Sequence, residues 1–540
     1  MSETDAALPT TLPAVLTSAA EHNRGGLHFH LEDGVCTLTA SELLDRAAGA
    51  ATVLEQLGIE PGASVGVLGP NRPEWAVAAF GTWLAGGVVV PLPFSFLQDP
   101  QSAGKQLRPL LDATDCGLVL VASELSDVPL PQARSWHLRS TSKSRGQARH
   151  ESDSAVIQPT SGSTGRPKGV VLTHEAILTA VRASSAAQGF EPGYDRLLGW
   201  LPLFHDYGLF GFLLRAFVTG VDSHILPVES FARAPSRWLS MVSEVDATVT
   251  AGPPSAWAAA LASVRTGGVD LDLSSLRLGV MAAEVIDPST VDSLVEIAPS
   301  LQLDPRALAA AYGLAEATLG VSVTRPGQGV RVDTLDREKL ASTGQALPAG
   351  DAPPKRVVSC GAPYPELEVI VLGDDGPCAE REVGRIAVRG PTLLDRYVGT
   401  RAPDPFTSDG WFVTGDLGYL AEGELFVTGR EKDVIIVMGR NYAPEDLEWA
   451  AGQVEGVRRG RCVAFGGDTE DGTVVLIVEP GRRTDPDTLP ARVRATVAAS
   501  TGLTPKVVVA DRGAVPKTTS GKLRRSATRG AYVAGQLPVP

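Results

Sequence analysis

Val156-Ile157-Gln158-Pro159-Thr160-Ser161-Gly162-Ser163-Thr164-Gly165-Arg166-Pro167-Lys168-Gly169-Val170-Val171-Leu172 sets two apolar, β-branched flanks around a centre rich in glycine and hydroxyl groups. The flanks predict two strands. Glycines in the centre let the backbone turn and bring N–H groups against an anion, the hydroxyls add donors, and Lys168 adds a positive charge. A loop of this kind can cradle phosphates. It is not a Walker loop, because GxxxxGK[ST] is absent and the chain leaves it into a strand instead of a helix. The helix comes later: Thr173 is its predicted N-cap, with Glu175 in the first turn and Ile177 and Val181 on one face. A flexible Ser/Gly turn has much the same composition, so the weight of this stretch depends on what surrounds it.

Outward from the loop, short β-branched runs alternate with Ala/Leu-rich helical patterns, which predicts an α/β fold. Ser64–Leu68, Gly117–Val121 and 247–250 read as strands; 40–57 and 235–245 read as helices. The most apolar window, 76–94, is broken by Gly81, Gly86, Gly87, Pro91 and Pro93. It reads as a buried helix, a turn and a buried strand at Val88-Val89-Val90, not as a membrane span. From about Val383 the strands become short and closely spaced (385–388, 424–427, 434–437), and a separate C-terminal unit is expected to start near Glu431. The segment Arg139 to His150, with Arg139, Lys143, Arg145 and Arg149 among serines, reads as a solvated linker.

With 540 residues, 43% apolar and 20% charged, the chain is long enough for three or four compact units and is too apolar for disorder. Its net charge of −14 argues against a nucleic-acid partner, which calls for a basic face. Cys36, Cys116, Cys360, Cys378 and Cys462 are odd in number, far apart and outside any CxxC or Cys/His cluster. Neither a disulfide framework nor a structural zinc site is expected. Acids at Glu3 and Asp5 occupy the place of a signal peptide's basic residues, so the expectation is a cytoplasmic protein with no membrane partner.

Three further motifs follow the loop: Ala311-Tyr312-Gly313-Leu314-Ala315-Glu316, Thr414-Gly415-Asp416 and Pro516-Lys517-Thr518-Thr519-Ser520-Gly521-Lys522. Together, and in this order from about Leu38 to Arg525, the four resemble the adenylate-forming superfamily of acyl-CoA ligases, luciferases, peptide-synthetase adenylation domains and fatty acyl-AMP ligases. The resemblance implies an α/β fold. Its large N-terminal domain (1–429) would be two stacked α/β sheets plus a β-rich subdomain, and 430–540 a small mobile α+β C-terminal lid. It also implies the reaction: a carboxylate attacks the α-phosphate of ATP, with Mg2+ present, to give an acyl-adenylate and pyrophosphate. That reaction brings two anions together, so catalysis is positioning plus charge neutralisation.

Roles carried over by the resemblance fall on specific residues. Thr160, Ser161, Gly162, Ser163, Thr164, Gly165 and Lys168 match the phosphate loop, and Ala283, Glu284, Tyr312 and Gly313 match nucleotide-binding positions, with the Tyr312 ring stacked on adenine. Glu316 matches the acid that helps bind Mg2+. Asp416 and Arg430 match the ribose contacts. Lys522 matches the lysine that bridges the carboxylate and the α-phosphate, and His205, in Leu203-Phe204-His205-Asp206-Tyr207-Gly208, lies at the junction of acyl site and phosphates. Lys432 matches the hinge about which the lid turns.

Within the superfamily, the run around His205, Tyr312–Leu319 and Gly439-Arg440-Asn441-Tyr442-Ala443-Pro444-Glu445-Asp446 resemble the fatty acyl-AMP ligase branch. So does the interval Arg325 to Ser359, similar in length to that branch's insertion. Such enzymes pass the acyl group to the phosphopantetheine thiol of a carrier, here expected to be a separate protein. Rival readings are an acyl-CoA ligase, an amino-acid adenylation domain with Asp206 holding the amine, an enzyme passing a small acid to an amine or other small nucleophile, and a non-catalytic nucleotide-binding regulator. The last would be expected to lack the Lys522 motif or Glu316. Departures from the family pattern occur at Pro253-Pro254-Ser255-Ala256-Trp257 and Met281-Ala282-Ala283-Glu284; Trp257 and Met281 are read as reshaping or shortening the acyl channel in favour of a short, branched or aromatic acid, or equally, for a large aromatic, as ordinary core.

Overall fold

Strands that read as unbroken apolar runs lie at the centres of two large sheets, because parallel strands covered by helices on both faces have no polar side. The structure is a computed structural model describing residues 8–94, 100–130, 133–135, 152–161, 167–267, 270–399, 404–466, 473–482, 484–518 and 521–539. The seven-stranded sheet runs, in spatial order, Arg396–Val398, Pro167–Thr173, Ser154–Ser161, Val88–Pro91, Ser64–Leu68, Cys116–Val121, Ala133–Ser135. The nine-stranded sheet has a parallel centre of Gly26–Leu31, Asp222–Ile225, Arg196–Gly199, Val249–Gly252, Leu278–Met281 and Leu308–Tyr312. Antiparallel strands close both of its edges.

The largest core joins the two sheets, taking Leu27 and Phe29 from one and Val65, Val67, Val170 and Leu172 from the other. Between them lie side chains of the helices Ala40–Gln56, Pro73–Leu84 and His174–Ala187. The glycines that break the apolar window belong to this packing. A Cβ on Gly81 would lie 2.6 Å from that of Ala50, so only hydrogen lets the two helices approach. Gly86, at φ +79°, makes the turn into Val88–Pro91. The helix after the phosphate loop starts where the sequence places it, with Thr173 Oγ1 accepting from the Ala176 N–H at 3.0 Å.

A four-stranded antiparallel sheet, Glu368–Leu372, Gly384–Arg389, Phe412–Ala421 and Glu424–Arg430, forms the β-rich part. The interval Arg325 to Ser359 folds as the strand Val332–Asp336, the helix Arg337–Thr343 and the strand Pro354–Val358. After the single turn Glu431–Asp433 comes a small α+β unit. It has the two-stranded sheet Ile435–Val437/Arg440–Tyr442, the three-stranded sheet Val457–Gly466, Val474–Pro480 and Lys506–Val509, and helices including Pro444–Gly452, Leu489–Thr501 and Arg525–Val533. Its apolar core is its own, with Leu447, Leu476, Leu489, Val493 and Val497 fully buried.

All five cysteines are free thiols. Burial raises Cys116 to about 11 and Cys360 to about 12, which keeps both protonated and unreactive. No described helix is long and apolar enough to cross a membrane, and no described cluster of His, Cys, Asp and Glu could hold a metal ion by itself. The basic segment Arg139 to His150 lies outside the described residues.

Candidate active site

The parallel strands Val249–Gly252, Leu278–Met281 and Leu308–Tyr312 end at one edge of the nine-stranded sheet. Residues just beyond those ends, Pro254, Ala282, Ala283, Glu284 and Gly313, line a cleft of about 1760 Å³. This is where open α/β sheets place their ligands. Across the cleft stands the small C-terminal unit, which contributes Lys517, Lys522 and Arg525 to the lining.

Most of the residues singled out in the sequence meet here: Thr160, Lys168, His205, Ala283, Glu284, Tyr312, Gly313, Glu316, Asp416, Arg430, Lys432 and Lys522 all line the cleft. The Ser161 side chain and Gly162, Ser163, Thr164 and Gly165 lie outside the described residues. The flanks of that loop pair as an antiparallel hairpin, Thr160 opposite Lys168, so the charge of Lys168 is presented beside the Thr160 hydroxyl. That hydroxyl is buried and has no hydrogen-bond partner among the described residues.

Lys168 Nζ lies 3.1 Å from Glu316 Oε1 and 3.6 Å above the centre of the Tyr397 ring. The Tyr397 hydroxyl donates to the same Glu316 oxygen at 2.9 Å. Tyr397 arrives on the strand Arg396–Val398, which adds to the edge of the phosphate-loop hairpin with Tyr397 opposite Val170. Burial, together with the adjacent Glu316 charge, raises its phenol well above the usual value. Sequence reading passed over Tyr397, because only the sheet pairing brings it to the loop.

On the opposite wall Tyr312 donates its hydroxyl to Asp416 Oδ2 at 2.7 Å, and Arg430 Nε reaches Asp416 Oδ1 at 3.0 Å. Asp416 and Arg430 face each other across two antiparallel strands. The tyrosine, the carboxylate and the guanidinium thus form one hydrogen-bonded group able to present a ring face and a bidentate acceptor. Gly313 is required by close approach, since a Cβ there would lie 2.0 Å from the Leu319 carbonyl oxygen. Glu284 accepts from the Ser255 hydroxyl at 3.0 Å, and Ala283 turns the chain at φ +73°.

His205 Nδ1 lies 2.6 Å from Asp206 Oδ1. Burial pushes the Asp206 carboxyl up. His205, through its charge and its hydrogen bond, the Lys522 ammonium and the Tyr207 N–H outweigh burial and hold it below the usual carboxylate range. Lys522 lines the same cleft as the His205–Asp206 pair. It is fixed there by a tight turn: its N–H donates to Thr518 Oγ1 at 3.0 Å, its carbonyl accepts from the Thr518 N–H at 2.8 Å, and Gly521 adopts φ +88°. The next helix is tied down by Arg525, whose guanidinium reaches Glu448 at 2.7 Å, Glu445 at 2.8 Å and Asp433 at 3.3 Å.

Two expected acyl-channel residues are not in the lining. Trp257 and Met281 are fully buried in the core. The Trp257 indole N–H donates to the Val280 carbonyl at 3.2 Å, and its ring packs 4.5 Å from that of Trp238. On the helix Pro254–Gly267 the cleft receives Pro254, Ser255, Ala258, Leu261, Ala262 and Arg265, and at about 100° per residue Trp257 stands roughly a quarter-turn round the helix from the middle of that face, where it meets the core. Met281 points inward by the alternation of its strand.

Known proteins resemble this chain along most of its length. The family model described as AMP-binding enzyme matches residues 17–398. A long-chain-fatty-acid–AMP ligase, FadD26 of Mycobacterium marinum, is 33% identical over 91% of this chain and 90% of its own. A structure from studies of fatty acyl-adenylate ligases of E. coli and L. pneumophila superposes with TM-score 0.89 at 31% identity, covering 97% of this chain and 98% of that one. A fatty acyl-adenylate ligase of L. pneumophila in complex with acyl adenylate and pyrophosphate superposes with TM-score 0.75 at 26% identity, covering 98% and 97%.

Proposed function

The chain belongs to the family of AMP-binding enzymes and is an acid–AMP ligase, and from that premise we propose how its residues divide the work. A carboxylate oxygen of the acid attacks the α-phosphorus of ATP, the bond from that phosphorus to the bridging oxygen breaks, and pyrophosphate leaves. Lys522 bridges the carboxylate and the α-phosphate, placing a compact positive charge where negative charge gathers. The observation that carries this reading is that Lys522, His205, Asp206 and Lys168 all line one cleft, with the Lys522 charge acting on the Asp206 carboxyl. Thr160 and Lys168 hold the β- and γ-phosphates, Asp416 and Arg430 hold the ribose, and the Tyr312 ring packs against the adenine.

Glu316 suits a hard divalent cation. Lys168 and Tyr397 both contact Oε1, which leaves Oε2 open. One carboxylate with substrate phosphates is the coordination Mg2+ favours. Bound there, Mg2+ supplies charge neutralisation of the triphosphate. We further place the domain boundary at Gly429/Arg430 and the hinge at Lys432, in the single turn before the small unit. In the second half-reaction the phosphopantetheine thiol of a separate carrier protein attacks the acyl carbonyl, losing its proton, and AMP departs.

The test is pyrophosphate release across a panel of carboxylic acids with ATP and Mg2+, trapping the adenylate as the hydroxamate, followed by transfer to a phosphopantetheinylated carrier and to free CoA. Release with carrier loading and little CoA product is the expected result. Efficient CoA thioester formation would overturn the carrier assignment, and no release with any acid would overturn acid activation.

A further inference from the structure

Arg215 is 1% exposed and yet lines the cleft. It follows the π-helix Tyr207–Leu214, whose buried apolar residues carry the chain inward from the His205–Asp206 pair. Its Nη1 donates to Gln188 Oε1 at 3.0 Å and its Nη2 to Ser184 Oγ at 2.7 Å, while Nε–H is buried with no acceptor. Among the described residues no carboxylate pairs with it. The titratable groups that act on it are the phenols of Tyr207 and Tyr364, both of which also line the cleft.

A guanidinium stays charged in a protein and presents five donors in a planar fork. Neutral acceptors on Gln188 and Ser184 satisfy two of those donors, and the only partner the charge itself has among the described residues is the Phe190 ring, 4.9 Å from the guanidinium carbon, a weaker match than a carboxylate. Buried charges are ordinarily paired, as Arg525 is with three carboxylates. Joining two helices does not call for a charge, since an uncharged amide would make the same two bonds. The guanidinium has no carboxylate among the described residues, belongs to the cleft lining and lies near two phenols that line it too, so a carboxylate partner can come from whatever fills that cleft.

We propose that the acid activated here bears a second carboxylate, which Arg215 receives at the inner end of the acyl site while the reacting carboxylate stands at His205 and Lys522. The inference rests on the acid-activation reading above and names its substrate class: a dicarboxylic acid in place of a plain fatty acid. Tyr207 and Tyr364 are the further donors available to that second carboxylate. The pairing leaves the chemical step unchanged, since the inner carboxylate only binds and orients.

The experiment is ATP–pyrophosphate exchange by the full chain with acids matched in length: the monocarboxylate, its ω-hydroxy and ω-amide analogues, and the dicarboxylate, across a series of lengths. Wild type is expected to favour dicarboxylates by at least about tenfold in kcat/KM at the best length, because a buried donor left unmatched penalises the analogue that lacks its acceptor. Arg215→Met is expected to reverse that order, and Arg215→Lys, which keeps charge but loses the fork, to fall between. Thermal unfolding of both variants reports whether they fold, and the wild-type ranking decides the matter if either does not. Equal or better use of the monocarboxylate or the neutral polar analogues by wild type would overturn the second carboxylate and leave acid activation standing. So would an equal loss for every acid in a folded Arg215→Met. Absence of exchange with every acid would overturn the acid-activation reading itself.

Discussion

Lys522 is held by the short segment between Lys517 and Leu523, which pair with each other at its base. Its ammonium matters for charge, not packing. Lys522→Ala is therefore expected to cost on the order of 10²–10³ in the rate of pyrophosphate release while the unfolding transition stays where it is. Wild-type-like turnover would remove Lys522 from the chemical step. Asp416 shows the complementary case. Its oxygens already serve Tyr312 and Arg430, so the same carboxylate holds the residues on either side of it in place.

Among the elements, the small C-terminal unit depends on a single cation. Arg525 on the helix Arg525–Val533 faces three carboxylates, Asp433, Glu445 and Glu448. Glu445 is nearly inaccessible, its Oε2 has no partner, and burial raises its carboxyl against the pull of Arg525. Removing the cation leaves buried carboxylates uncompensated, which costs about 3–5 kcal/mol. Arg525→Met is expected to make the lid yield early to limited proteolysis and to lower pyrophosphate release, because Lys522 lies on the same turn-helix unit. A lid as protease-resistant as wild type would show that the acids repack or protonate without cost. Contacts outside the unit also hold it: Lys355 Nζ reaches Asp446 at 2.6 Å and Arg440 reaches Glu338 at 3.0 Å, both from the interval Arg325 to Ser359. That interval is legible in the sequence only as extra length.

For the molecule as a whole, acid sensitivity follows from burial. His174 opens the helix after the phosphate loop, accepts from the Leu12 N–H at Nδ1 (3.2 Å), and is lowered to about 4 by burial. Between pH 6.5 and 4 the unfolded chain takes up a proton that the folded chain excludes, so stability is lost as pH falls through that window. The loss approaches about 3 kcal/mol at its acid end. His174→Gln is expected to flatten the thermal midpoint against pH across the window; an unchanged slope would assign the acid sensitivity to other groups.

What the sequence by itself determined is the local chemistry and its order. Strand and helix follow from runs of Val and Leu and from caps such as Thr173, the phosphate hairpin follows from its glycines and β-branched flanks, and four motifs in order identify the nucleotide site, because each is a short piece of backbone that carries its own geometry. Only the tertiary structure decided what lies across the cleft. Tyr397 joins the Thr160–Lys168 hairpin by strand pairing, Arg215 reaches the cleft at the end of a buried π-helix, and Trp257 packs into the core because which side of a helix meets a cavity depends on what packs against the rest of it. Cleft or core is a property of the neighbours, and the neighbours are set by chain segments far apart in sequence.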